Sequence, residues 1–117
     1  MTYVDAFVAA VPKANKEQYI THARGVAEMC KQWGALRTVE NWGDEVPKGE
    51  LNDFYTAVHA KDDEVVVFSW VEYPDKATRD AVQDKMMNDP AITGVPDMPF
   101  DGKRMIFGGF ANLLDVK

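Results

Sequence analysis

Five residues of this chain have the chemistry to assemble a small-molecule site: Asp5, His22, Trp70, Met98 and Phe100. Asp5 interrupts the apolar run Tyr3–Val11, where a carboxylate is costly unless it is paired or hydrated. It reads either as an acid/base group in a pocket or as a strand residue facing water near an edge. His22 stands one turn before Val26, at the rim of a helical apolar arc. There it is either a base or ligand donor between helix and sheet or a boundary histidine bonded to nearby backbone. Trp70 is a core residue or a platform for a ligand. Met98 and Phe100 lie in a proline-rich connection, a placement that suits the mouth of a cavity.

Other chemistry is sparse. His22, His59 and Cys30 fall in separate elements without metal-ligand spacing, so neither a metal nor a cofactor is expected. Ser69 lacks a Gly-x-Ser-x-Gly elbow, and Cys30 sits on a buried stripe where a thiol is inert. No Gly-Lys-Ser/Thr follows Gly108–Gly109, which rules out a phosphate loop. A glycine pair inside a strand instead signals a bulge, a bend or a close backbone approach. Asp101–Gly102 reads as a turn, and Lys103–Arg104 as a solvated strand end or an anion holder.

These residues belong to one domain, 1–117, in which 46% of residues are hydrophobic and 27% charged. A net charge of −6, with 13 scattered basic residues, argues against an extended nucleic-acid or anionic-membrane surface. The single cysteine fits a reducing compartment, no signal peptide is visible, and the apolar run Val65–Val71 is too short to span a bilayer. Cytoplasm is the expected location.

The positioning elements follow from pattern. Tyr3–Val11 is rich in Val, Phe and Ala and ends at Pro12, a strand and a turn. Asn15, with Gln18 three residues on, begins a helix as a capping box would. Tyr19, Ile20, Ala23, Val26, Ala27, Cys30 and Trp33 then share one arc at helical spacing, and Gly34 ends the helix. Ala35–Trp42 is a strand. Gly43–Asp63 is loop-like, with Phe54–Ala60 open between helix and strand. Glu64–Tyr73 is a strand by its β-branched and aromatic content. Asp75 caps a second helix over 76–88. Pro90, Gly94, Pro96, Pro99 and Gly102 imply a connection with little regular structure, and Lys103–Leu114 is the last strand. The order is βαββαβ, the α+β ferredoxin-like arrangement.

Both faces of the sheet should be covered. Val65, Val67, Ser69 and Val71 point one way and Val66, Phe68 and Trp70 the other, so neither set alternates with polar residues as a wet face requires. Two helices cover one face. The other needs a second copy of the chain, or else the 45–63 segment folded over it.

Met98–Phe110 reads Met-Pro-Phe-Asp-Gly-Lys-Arg-Met-Ile-Phe-Gly-Gly-Phe. With Tyr3-Val4-Asp5, Trp33-Gly34-Ala35 and Val66-Val67-Phe68-Ser69-Trp70, it resembles the YbaA-like proteins, a small bacterial family of unknown function. The resemblance implies a dimeric α+β barrel in the cytoplasm and no assigned reaction. Three functional readings remain open. One is a homodimer that binds a small molecule between sheet, first helix and Pro/Gly loop. Another is a cofactor-independent monooxygenase or isomerase, by analogy with other barrels of this fold. Haem degraders of that class carry a histidine on the second helix, and 75–88 has none. The third is a protein-interaction module.

Overall fold

Tyr3–Pro12 forms β1 of the computed structural model, followed by α1 (Lys16–Trp33), β2 (Arg37–Trp42), α2 (Phe54–Ala57), β3 (Glu64–Tyr73), α3 (Lys76–Asn88) and β4 (Ile106–Ala111). The structure describes residues 2–88 and 98–117; the connection around Pro90, Gly94 and Pro96 lies outside them. The strands make one antiparallel sheet in the order β2-β3-β1-β4. This is the ferredoxin-like βαββαβ fold.

Helix α1 buries Tyr19, Ala23 and Cys30, and Val26 and Trp33 pack beside them. Spacings of four and three residues place this stripe on the sheet. Ile20, expected on the same arc, is 41% exposed because it lies one position outside the stripe. Asn15 does not cap the helix through its side chain. A 3-10 turn over Lys13–Asn15 enters the helix instead, and the Asn15 Nδ2 donates to Pro99 O at 2.8 Å. Gly34 ends α1 at φ +123°, where a β-carbon would also lie 2.9 Å from Thr78 Cγ2, so both conformation and space demand glycine. Asp75 caps α3 by accepting Thr78 N at 2.7 Å.

β2 starts two residues later than its pattern suggests, at Arg37. β4 is shorter at both ends. Gly102–Arg104 forms a 3-10 turn, with Asp101 accepting Lys103 N, and Arg104 reaches Glu64 through two 2.7 Å bonds. Lys103–Arg104 is thus a turn; its arginine is spent on a buried carboxylate. Beyond Ala111, Leu113 and Leu114 are exposed rather than in a strand.

Strand register settles the faces. Asp5 pairs with Val71, Phe7 with Ser69 and Ala9 with Val67, so odd-numbered residues of β1 and β3 share the helix-bearing side. Glu40 pairs with Ser69, and Phe107 with Phe7, which adds them to it. The opposite face carries Val4, Ala6, Val8 and Ala10 with Val66, Phe68 and Trp70. Part of it is covered by the 45–63 segment: Asp53 and Thr56 form a capping box for the single-turn α2. Val58 is fully buried there against Ala10 and Val66. The other end stays open, with Phe68 42%, Ile106 47% and Phe110 57% exposed.

Candidate functional site

Between the helix-bearing face and the two long helices lies a cavity of about 540 Å3. Its walls are mostly apolar: Phe7 and Val71 from the sheet, Val26 from α1, Met86 from α3, and Met105 and Phe107 from the last connection and strand. Two polar groups of side chains interrupt them.

The first is built on Asp5. Arg79 of α3 reaches its carboxylate with Nε at 2.9 and 3.1 Å and Nη2 at 2.9 Å, and Gln83 Nε2 donates at 2.8 Å. Arg79 and Gln83, four residues apart, lie on the same side of α3. The pair is well shielded, at 23% and 15% side-chain exposure, and hydrogen bonding to Asp5 raises the Arg79 pKa further above its usual range. Arg79 also lies over the Tyr3 ring, 5.3 Å from its centroid. Gly109 makes this crossing possible. A β-carbon there would sit 2.5 Å from Tyr3 Oη and 2.8 Å from Arg79 Nη2, so this glycine of the pair serves a close approach.

The second group centres on Glu40, which sits on edge strand β2. Its Oε1 accepts the buried Tyr19 hydroxyl and the buried Ser69 hydroxyl, each at 2.5 Å. Desolvation first, and then the Glu40 charge, push the Tyr19 phenol above its usual range. Burial likewise raises Tyr73, with the Asp5 charge second. The Cys30 thiol is pushed up to about 11 by burial and then by Asp5. It is therefore protonated at neutral pH and lies 3.8 Å from Met86 Sδ.

Phe100 is held in the cavity lining by ring contacts. Phe100 packs against Tyr19 at 5.6 Å and edge-on to His22 at 6.4 Å, while Asn15 holds the preceding carbonyl. Asp5, His22, Met98 and Phe100 thus line one cavity. Trp70 does not join them. It stands on the opposite face, its Nε1 donating to Glu72 Oε2 at 2.9 Å and its ring edge-on to Phe68 at 6.1 Å.

A family profile described as a protein of unknown function, DUF1428, matches residues 2–102. The chain belongs to the DUF1428 family. It is 52% identical over 116 residues to the uncharacterised protein YbaA of Escherichia coli strain K12, covering 98% of this chain and 99% of that one. The YbaA protein of Shigella flexneri matches to the same extent. Among solved structures, a dimeric ferredoxin-like protein from an uncultured marine organism superposes with a TM-score of 0.53 at 16% identity, covering 99% of this chain and 97% of that one. That likeness concerns the fold.

Within this DUF1428 chain, Arg79, Gln83 and Glu40 are the site residues that sequence reasoning missed. Arg79, Val82, Gln83 and Met86 fall at helical spacing, so the side of α3 that carries Val82 and Met86 also carries two polar residues. Glu40 alternates with Thr38 and Trp42, which places it on the helix-bearing face once Trp42 is assigned there. No described helix is long and apolar enough to cross a membrane.

Proposed function

We propose that this DUF1428 chain is a cytoplasmic homodimer that binds a small, largely apolar molecule between its helices and its sheet. The cavity carries the reading: about 540 Å3, apolar walls, and a few convergent polar side chains, which is the usual make-up of a small-molecule site. Phe100 and Met98 form its mouth. Burial keeps the Cys30 thiol protonated at neutral pH, which argues against thiolate chemistry in this cavity. The open half of the helix-free face, with Phe68, Ile106 and Phe110, is the surface on which a second copy sits. The marine ferredoxin-like protein of similar fold is itself dimeric, which supports this assembly, and the unpaired Cys30 supports a reducing compartment.

A ligand screen by thermal shift, on protein freed of carried-over metabolite, tests the reading, since a ligand of the native state raises its stability by mass action. Asp5→Asn and His22→Ala should reduce ligand-induced stabilisation while leaving the chain folded. Wild-type binding of every identified ligand by both variants would overturn the site.

A further inference from the structure

We infer that the ligand is a cationic amphiphile, an amine on an aromatic or aliphatic body, whose ammonium group meets Glu40 while the body fills the cavity. This rests on the reading of the cavity as a ligand site and adds the charge of the ligand.

The argument is one of charge compensation. Among described lining residues, the Asp, Glu, Lys and Arg side chains are Asp5, Glu40 and Arg79. Each nitrogen of Arg79 already faces a carboxylate: Nε and Nη2 go to Asp5 and Nη1 to Asp80 at 3.1 Å. Its charge is already met by two carboxylates, so an anionic ligand would have to compete with a shielded ion pair. Asp5 and Arg79 cancel, which leaves the Glu40 carboxylate, with His22 as the other lining side chain able to carry positive charge. The Glu40 Oε1 is fixed by two hydroxyl donors from α1 and β3, which orient the carboxylate without neutralising it. No described Lys or Arg forms an ion pair with Glu40. Lys16, at the start of α1, lies over the Trp42 ring at 5.3 Å.

Position reinforces charge. Glu40 is exposed on the edge strand, so an ammonium group bound there stays partly hydrated and avoids the full cost of burial. Tyr19, whose hydroxyl holds Glu40, makes a tilted ring contact with Phe100, so aromatic rings adjoin the carboxylate, and such rings favour a cation. A chain of net charge −6 also draws cations and repels anions at long range.

Titration calorimetry of the full chain with phenylbutylamine, phenylbutanol and phenylbutanoate at pH 7 tests the inference on matched bodies. The amine should bind at least about tenfold tighter than the acid, a difference equivalent to about 1.4 kcal/mol. In Glu40→Gln that ratio should fall to near one. An acid that binds as well as the amine, or a Glu40→Gln chain that keeps the preference, overturns the amine assignment while the cavity reading stands. Failure of all three compounds, the neutral alcohol included, overturns both. Should Glu40→Gln not fold, the ranking on the unaltered chain decides.

Discussion

Gly109 has an arginine and a tyrosine where its side chain would begin, which makes the backbone of β4 part of the Asp5 pair. Gly109→Ala should push Arg79 or Tyr3 aside and cost about 1–3 kcal/mol, read by urea denaturation. Arg79→Met removes the cationic partner of the shielded Asp5 carboxylate and should cost about 2–4 kcal/mol. Arg37→Met removes a partner of Glu72 whose side chain is 63% exposed and should cost less than about 1 kcal/mol. Equal losses in the two arginine variants would show that the Asp5 pair is no more than a surface contact. At this scale the sequence was informative for Asp5, His22, Met98 and Phe100, whose types stood out against apolar surroundings. It misplaced Trp70 because both sets of alternate residues in β3 are apolar. Only the pairing of Trp70 with Ala6 tells which set meets the helices. Glu40 and Arg79 acquire meaning from partners on other elements, and spacing along one element cannot supply them.

The start of β3 and the turn before β4 are joined by Glu64 and Arg104. Hydrogen bonding to Arg104 holds the Glu64 carboxyl down at about 2, against a usual 4.5. As pH falls, the unfolded chain therefore takes up this proton first. The contribution of the pair is whole above about pH 4.5 and is lost as pH falls through about 2, a change on the order of 3 kcal/mol. Glu64→Gln should be less stable than wild type by roughly 2–4 kcal/mol at pH 7. Denaturation curves taken at successive pH values should converge towards pH 2. A constant gap across that window would show that the pair contributes through packing alone. This contact also explains why β4 starts later than its pattern suggests: Gly102–Arg104 is diverted into the turn that delivers Arg104. The long periodic elements were legible because burial repeats along them. α2 was not, since a single turn is too short to show a period and its Asp53–Thr56 cap was the only signal.

At the scale of the molecule, the helix-free face divides into an end closed by Val58 and an end left open around Phe68 and Phe110. Light scattering should give twice the chain mass of 13.1 kDa, and Phe68→Lys with Phe110→Lys should return it to one chain. The melting temperature of the wild type should rise with protein concentration and that of the double variant should not. A wild-type mass of one chain at micromolar concentration would remove the homodimer. The sequence showed that both faces are apolar; how much of the second face the 45–63 segment closes depended on where Val58 lands, which no local pattern specifies.

The pairing of β1 has a further consequence, for synthesis. β1 is made before either strand that flanks it: Tyr3 waits for Tyr73 on one edge and for Ala111 on the other. A nascent chain that has not yet released residues 106–111 therefore carries β1 with an unpaired row of backbone groups and Asp5 without the finished wall around it. Such late, long-range closure slows folding and leaves strand edges available to other chains. Ribosome-bound chains stalled before Ile106 should accordingly be captured by chaperones and cut by proteases, and release of six more residues should end both.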